Sequence, residues 1–327
     1  MLLFADVPAW VTDYPICAVL AGLVMLVLGA EVLVRSAVWI ALSVGISPMA
    51  VGLTLVSLGT SLPELLVTLS AAEDAADLGM GNVLGSNVAN VLLIVGASAV
   101  IRAFNLKTRW LELGYMLLLT ALACLPFLLG GHLERWMSGV MLAVLVLFLF
   151  QLLARERVAR KLLEGTPLPT STASGWVVHL AFLAVGFFSL KYGADWLVEG
   201  ACQVAADMGM SKAVIGVTVV AIGTSMPELA TSIIAALRGH PEICIGNVVG
   251  SNIFNIGAVL GGAGLLQPFA FDANALLVTL GAVVLSTVML TIILRTTSGV
   301  TRGLGLLFLL MYAAFTTYVV MATPTGG

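Results

Sequence analysis

Two glutamates, Glu64 and Glu228, stand inside long apolar stretches of this 327-residue sequence. Each ends the same pattern, Gly-Thr-Ser-x-Pro-Glu, and the second copy lies 164 positions after the first. A carboxylate near the centre of a bilayer costs about 2.5 kcal/mol or more, so two at matching positions need a chemical reason. Carboxylate and hydroxyl oxygens are ligands that hard cations prefer. The repeated pattern therefore predicts a cation site built from both halves of the chain.

The residues before each glutamate add further oxygen atoms. Pro63 and Pro227 have no N–H group, so the carbonyl oxygens four residues earlier lose their helical donors. In lipid, such carbonyl groups are tolerated where they line a polar cavity. On a continuous helix, the hydroxyl residues one turn before each glutamate would share its face. These hydroxyl residues are Thr60 and Ser61 in the first copy and Thr224 and Ser225 in the second.

A second block, Gly-Asn-x-x-Gly-Ser-Asn-x-x-Asn, follows each copy and repeats at an offset of 165 positions. Its Ser86 and Asn90 are four residues apart and share one helix face, as do Ser251 and Asn255. Asparagine often joins membrane helices through hydrogen bonds, but beside two glutamates we favour cation ligation for Asn90 and Asn255. The other asparagines are expected to support the site, and they are Asn82, Asn87, Asn247 and Asn252.

The predicted ligand set combines two carboxylates with hydroxyl, amide and carbonyl oxygens. It includes no thiol, no imidazole and no positively charged side chain. Ca²⁺ takes about six to eight oxygen ligands. Its charge balances two carboxylates, but several Na⁺ ions or two protons can balance them equally well. An empty, doubly charged cavity in lipid is costly, which gives a physical basis for exchanging one ion for another. The residues alone leave sodium and protons open as the exchanged ion.

The composition predicts an integral membrane protein. Hydrophobic residues make up 60% of the chain, charged residues 9%, and the mean hydropathy is +1.12. A soluble domain carries about 25% charged residues, so we expect membrane lipids to be the solvent and nucleic acid not to be a partner. An enzyme is not indicated, because the sequence shows neither a nucleophile–base pair nor a histidine pattern for a metal. No cofactor is expected beyond the transported ions.

Apolar segments of about 20 residues, the length of a transmembrane helix, position the motifs. Ten such segments lie near 16–40, 46–71, 81–101, 110–130, 136–154, 176–203, 211–237, 243–266, 273–294 and 303–322. The first fifteen residues carry no basic cluster, so we expect no cleaved signal peptide. Lysine and arginine concentrate in alternate loops, which predicts that both termini are extracytoplasmic. The short loops favour a plasma (inner) membrane location.

A polar connection, 155–175, divides the chain into the halves 1–154 and 176–327 and is predicted to be cytoplasmic. Each half contains five predicted spans, and because five is odd the second half must insert upside down. The sequence thus predicts an all-α integral membrane protein with ten transmembrane helices in two inverted five-helix repeats.

The paired motifs and blocks resemble the two α-repeats of the cation/calcium exchanger superfamily, in particular the sodium/calcium exchangers and their prokaryotic relatives. The resemblance covers nearly the whole chain. It implies an antiporter that exchanges Ca²⁺ for Na⁺ by alternating access, with Ca²⁺/H⁺ antiport as the alternative. From a different class of protein, a cation channel could use the same oxygens. The first and sixth segments would move against the ion-binding core, with glycines as a possible sliding surface. Those glycines are Gly22, Gly29, Gly186 and Gly193.

The resemblance also implies a role for each site residue. Glu64 and Glu228 would be shared calcium ligands, with Asn90 and Asn255 lining the centre. Serines of the second block, Ser86 and Ser251, would contribute to flanking sodium sites. Hydroxyl and main-chain oxygens would come from Thr60, Ser61, Thr224 and Ser225, and main-chain carbonyls would come from Ser57 and Ala221.

Asn255 departs from part of the family. Some relatives, including the potassium-dependent branch, carry an aspartate at this position. The amide removes one negative charge, which argues against potassium co-transport and leaves the sodium and proton alternatives open. The short connection 155–175 also leaves no room for a large calcium-sensing insert. The sequence does not indicate an oligomeric state.

Overall fold

A computed structural model describes residues 7–105, 110–162, 172–208, 223–297 and 299–322. The first part contains α1 (Ala9–Asp13), α2 (Pro15–Val44), α3 (Pro48–Val51), the π-helical stretch π1 (Gly52–Val56), α4 (Ser57–Thr60), α5 (Leu62–Asp74), α6 (Ala76–Ala89), π2 (Asn90–Val95), α7 (Gly96–Ile101), α8 (Trp110–Ala123), α9 (Leu125–Leu128) and α10 (Arg135–Leu162). The second part contains α11 (Ala173–Asp207), α12 (Met226–Leu237), α13 (Pro241–Phe254), π3 (Asn255–Leu260), α14 (Gly261–Leu266), α15 (Ala273–Thr296) and α16 (Arg302–Ala322). Four two-residue strands are β1 (Phe104–Asn105), β2 (His132–Leu133), β3 (Phe269–Ala270) and β4 (Gly299–Val300).

The described helices include eight that are long and apolar enough to cross a bilayer, and a ninth if the bent pair Pro48–Thr60 and Leu62–Ala72 counts as one span. Their outer faces carry exposed large apolar side chains, such as Leu20, Phe150 and Leu310. Apolar side chains on the outside suit a lipid solvent, in which backbone groups must be satisfied within each helix. The chain is therefore a multi-pass integral membrane protein. Predicted segment 211–237 is described only from residue 223 onward.

The centre of the molecule is formed by the helices of the second block, α6 with π2 and α13 with π3. Met80, Ile94, Ile253 and Leu260 are fully buried there. Chain segments from both halves thus share one apolar core, and a separate cluster joins α2 to α11 and α12.

Both Pro-Glu motifs lie at the start of a helix. Ser61, with φ −86° and ψ 4°, separates α4 from α5, and the two parts of this span bend by 43°. Ser225 precedes α12 with nearly the same backbone angles, φ −91° and ψ 7°. Proline is tolerated in the first turn of a helix, where its missing N–H is not needed. The expectation of one continuous helix through Thr60 and Glu64 is therefore wrong, because the proline starts a new helix.

Contacts between the two parts of the chain occur in reciprocal pairs. β1 pairs with β4 and β2 with β3, in both cases antiparallel. In the sequence repeat, β1 corresponds to β3, and β2 to β4. β1 therefore pairs with the counterpart of β2, and β2 pairs with the counterpart of β1.

The four glycines of the first and sixth segments face one another. A Cβ atom built on Gly22 would lie 2.6 Å from the carbonyl oxygen of Gly193, and one built on Gly29 would lie 3.1 Å from that of Gly186. These glycines therefore bring α2 and α11 into close contact with each other. The structure does not place them against the core helices as a sliding surface, which corrects that expectation.

The connection predicted at 155–175 is shorter than expected. α10 continues to Leu162, and α11 begins at Ala173, because the stretch after residue 154 is rich in residues that favour helix. Most of the remaining connection, 163–171, lies outside the described residues, as does Ala221.

Candidate cation site

The two motifs meet in the interior. Glu64 and Glu228 are each 1% exposed, and each lies in the first turn of its helix, α5 or α12. Ser61 of the first motif donates its hydroxyl to Oε1 of Glu228 over 3.3 Å. The structure therefore brings both predicted carboxylates and the first motif's hydroxyl into one buried place.

Threonines of the motifs contact asparagines of the opposite half. Thr60 Oγ1 donates to Oδ1 of Asn247 over 3.3 Å, and Thr224 Oγ1 donates to Oδ1 of Asn82 over 3.4 Å. Thr60 and Thr224 are repeat counterparts, and so are Asn247 and Asn82. Both of these asparagines have the predicted supporting position beside the motifs.

The asparagines of the second block also pair across the halves. Asn90 Nδ2 donates to Oδ1 of Asn252 over 3.0 Å, and Asn255 Nδ2 donates to Oδ1 of Asn87 over 3.1 Å. Asn252 Nδ2 further donates to the main-chain carbonyl of Asn87 over 3.3 Å. Asn90 and Asn255 open the π-helical stretches π2 and π3, and π-helical turns occur frequently at functional sites.

A group of buried oxygen atoms on the predicted ligands has no hydrogen-bond partner among the described residues. They are Glu64 Oε2, Glu228 Oε2, Asn90 Oδ1, Asn255 Oδ1, Ser86 Oγ, Ser251 Oγ and Ser225 Oγ. Buried polar atoms are nearly always satisfied in folded proteins, so such a concentration calls for a partner other than a protein side chain. Carboxylate, amide and hydroxyl oxygens fit a hard cation, and six of the seven atoms come in repeat-related pairs.

Ser57 makes its contacts within its own helix. Its hydroxyl donates to the carbonyl of Leu53 over 2.8 Å, and its carbonyl accepts from the amide of Ser61 over 3.0 Å. A cation at the Ser57 carbonyl would share that oxygen with a helical hydrogen bond. Its counterpart Ala221 lies outside the described residues.

A cavity of about 100 Å³ lies beside the second motif, lined by Thr224, Pro63 and Pro227. Lys191 and Asp195 of α11 also line it, and their charged atoms are 2.7 Å apart. The cavity is therefore bounded by residues of both motifs and by α11, the helix paired with α2.

Two contacts made by acidic side chains were not predicted. Glu31 of α2 binds Arg238, which follows α12, with Nη2–Oε1 and Nε–Oε2 distances of 2.7 Å. Glu156, 3% exposed, accepts from the amide of Ser47 over 2.8 Å at the start of α3. Glu31 is the repeat counterpart of Asp195, 164 positions later, but nothing in the pattern pointed to a partner. Glu156 lay in the stretch interpreted as a polar connection.

The fold and the buried oxygen cluster define a multi-pass membrane transporter. Residues 14–154 and 178–321 match the family model described as sodium/calcium exchanger protein. The chain belongs to this sodium/calcium exchanger family, which confirms the resemblance seen in the sequence.

Several known proteins are similar along most of the chain. The putative antiporter CaxA of Alkalimonas amylolytica is 38% identical over 268 residues, covering 79% of this chain and 82% of the relative. The sodium/calcium exchanger MaX1 of Methanosarcina acetivorans is 31% identical over 334 residues, covering 90% and 95%. The solved structure of a sodium/calcium exchanger from Methanococcus jannaschii superposes with a TM-score of 0.78 at 27% identity, covering 94% of this chain and 98% of that one.

Proposed function

We propose that this protein is an antiporter that exchanges Ca²⁺ for Na⁺ across the membrane by alternating access. The observation that carries the proposal is the set of buried oxygens, those of Glu64 and Glu228 among them, that both halves contribute and that have no hydrogen-bond partner among the described residues. Two relatives support it, since one is named a sodium/calcium exchanger and the other a putative antiporter.

The charge of the site explains why exchange is favoured. Glu64 and Glu228 together carry two negative charges when ionised, and one Ca²⁺ neutralises them. Asn90 and Asn255 add amide oxygens without adding charge. A site with two carboxylates is costly to expose to lipid when empty, so the transition between access states is expected only when cations are bound. Ca²⁺/H⁺ antiport is the alternative, because two protons neutralise the same pair.

We assign the ligands as the sequence predicted. Glu64 and Glu228 hold Ca²⁺ directly, with Asn90 and Asn255 at the centre of the site. Ser86 and Ser251 contribute hydroxyls to flanking sodium sites. The remaining oxygens come from Thr60, Ser61, Thr224 and Ser225 and from the main chain at Ser57 and Ala221.

We further propose ten spans in two inverted five-helix repeats, with both termini extracytoplasmic and the protein in the plasma (inner) membrane. The reciprocal strand pairs β1–β4 and β2–β3 and the reciprocal asparagine pairs are contacts that a two-fold relation between the halves produces. In this arrangement α2 and α11, joined through their glycines, move together against the motif helices.

The test is uptake of radiolabelled Ca²⁺ into proteoliposomes loaded with Na⁺, with and without an imposed pH gradient. An outward Na⁺ gradient alone is expected to drive Ca²⁺ uptake, and protein-free liposomes are the control. Uptake that requires an outward H⁺ gradient and ignores Na⁺ would overturn sodium coupling in favour of Ca²⁺/H⁺ antiport. Gradient-independent currents through single molecules would instead identify a channel.

A further inference from the structure

We propose that Asn252 and the main chain of Asn87 are positioning groups that orient the amide of Asn90, so that its oxygen rather than its nitrogen faces the cation. This inference rests on the proposed cation exchange and adds to it two groups that hold a ligand without touching the ion. The oxygen and NH₂ ends of an asparagine amide have nearly the same shape, but the oxygen attracts a cation and the NH₂ group repels it.

The orientation of the Asn90 amide is set by a chain of hydrogen bonds that starts at the main-chain carbonyl of Asn87. The main-chain carbonyl of Asn87 can accept a hydrogen bond and cannot donate one. Asn252 reaches it over 3.3 Å, so Asn252 must present its NH₂ group there. The Oδ1 atom of Asn252 consequently points the other way, where Asn90 lies at 3.0 Å.

The same logic fixes Asn90. The Oδ1 atom of Asn252 accepts hydrogen bonds, so Asn90 must present Nδ2 to it. The Oδ1 atom of Asn90 is then directed away from this contact, and it is buried without a hydrogen-bond partner among the described residues. α12, which carries Glu228, packs against π2, which Asn90 opens. Oδ1 of Asn90 and Oε2 of Glu228 are both among the buried oxygens that have no hydrogen-bond partner in the described part of the chain.

A reversed Asn90 amide would be harmful. It would set two oxygens, those of Asn90 and Asn252, against each other and would point two N–H donors toward a cation. Nothing in the shape of the side chain prevents that rotation, so the hydrogen bond that Asn90 donates to Oδ1 of Asn252 must prevent it. Groups that orient metal ligands in this way typically contribute about 10- to 100-fold in metal affinity.

The opposite half lacks the same anchor. Asn255 donates to Oδ1 of Asn87 over 3.1 Å, but Nδ2 of Asn87 has no hydrogen-bond partner in the described part of the chain. The Asn87 side chain is therefore not held by a main-chain carbonyl as Asn252 is. The inference thus assigns the fixed orientation to Asn90 and not to Asn255.

The test compares Asn252→Leu in two backgrounds, the natural chain and Asn90→Asp. Equilibrium binding of radiolabelled Ca²⁺ to the purified full-length protein is measured, which does not depend on the driving ion. In the natural background, Asn252→Leu is expected to weaken Ca²⁺ binding about tenfold. In the Asn90→Asp background, residue 90 has two equivalent oxygens and no orientation to lose, so the same substitution should change binding little or improve it.

The matched control is Asn87→Leu, which removes a side-chain amide at the counterpart position but keeps the main-chain carbonyl that anchors Asn252. Its effect on Ca²⁺ binding should be equal in both backgrounds. If Asn252→Leu does not fold, as judged by gel filtration, Asn252→Ala is measured in its place with the same expectations.

Equal weakening by the residue 252 substitution in both backgrounds would show a packing role and overturn the inference alone. A natural protein that binds no Ca²⁺ would overturn the proposed function, and the inference with it. Binding of Ca²⁺ together with proton-driven uptake would change the exchanged ion and leave the inference intact.

Discussion

At the scale of single residues, the position of each glutamate in its helix matters as much as its burial. Glu64 and Glu228 are the third residues of α5 and α12, where the first N–H groups of a helix have no helical acceptors. The positive end of the helix dipole favours a negative charge at this position. Each motif therefore places a carboxylate where the protein itself partly offsets the cost of burying it.

Replacing either carboxylate by its amide tests the proposed ligand role. Glu64→Gln and Glu228→Gln each remove one negative charge at nearly constant volume. In either variant, the single remaining glutamate cannot neutralise the two positive charges of Ca²⁺. We expect gradient-driven Ca²⁺ uptake to fall at least about 100-fold, because groups that only orient a metal ligand already contribute about 10- to 100-fold, while the protein still elutes as a folded species. The measurement is radiolabelled Ca²⁺ uptake into proteoliposomes.

Glu134→Gln is the matched control, because Glu134 is an exposed acid next to α10 and outside the site. Its uptake should equal that of the natural protein. Substantial transport by both single site variants would contradict the assignment of Glu64 and Glu228 as ligands.

The sequence singled out candidate residues but not their geometry. Doubling of the motif pointed to both glutamates and to the pair Asn90 and Asn255, because repetition of polar residues in apolar sequence is a strong signal, and the structure buries all four. It could not show that Ser61 ends a helix, since periodicity describes faces and not breaks. The direction of the Asn90 amide also depends on a partner 162 positions away, which no local pattern encodes.

At the scale of helices, a close main-chain contact joins α2 to α11. Gly22, Gly186 and Gly193 each have main-chain atoms of the opposite helix within about 3 Å of an added Cβ. Small residues at such contacts let membrane helices pack closely. The two helices are therefore expected to move as one body.

Gly22→Ala is the direct test of that contact. Its new Cβ would lie 2.6 Å from the Gly193 carbonyl oxygen and 2.7 Å from the Leu197 amide nitrogen, so the helices must separate. Overpacking of this kind costs about 1–3 kcal/mol. We expect a lower thermal unfolding midpoint and reduced Ca²⁺ uptake. Gly281→Ala on α15, where an added Cβ meets nothing within 4 Å, should change neither quantity, and equal behaviour of the two variants would contradict the close packing.

The presence of helices could be predicted from the sequence, but their ends and their π-helical stretches could not. Apolar length located the eight or nine spans found among the described residues. However, α10 runs past the predicted boundary to Leu162, and Glu156 within that extension binds Ser47 across the fold. The π-helical stretches π2 and π3 occur at matching places and were not expected, because one extra residue per turn leaves no mark in hydropathy. Tertiary contacts decide these features.

At the scale of the whole molecule, the two halves share a site but differ in their ionic contacts. Glu31 on α2 binds Arg238 at the end of α12. The repeat counterparts of these residues are Asp195 and Asp74, which are both acidic and cannot form the same contact. Asp195 is instead paired with Lys191 on its own helix. Under the proposed inverted arrangement, one access state has an ion pair between α2 and α12 that the opposite state cannot reproduce.

Removing that ion pair should therefore change the balance between the access states without changing the ion ligands. Arg238→Gln and Glu31→Gln are each expected to shift the ratio of apparent Ca²⁺ affinities at the two membrane faces by up to about fivefold. That limit follows because the Arg238 side chain is 53% exposed and exposed pairs contribute only about 0.2–1 kcal/mol. The ratio is measured from Ca²⁺ uptake in right-side-out and inside-out vesicles. If the two residues act through each other, the double variant should shift the ratio no more than either single variant. Additive shifts would show that the residues act separately and that the contact does not bias the transport cycle.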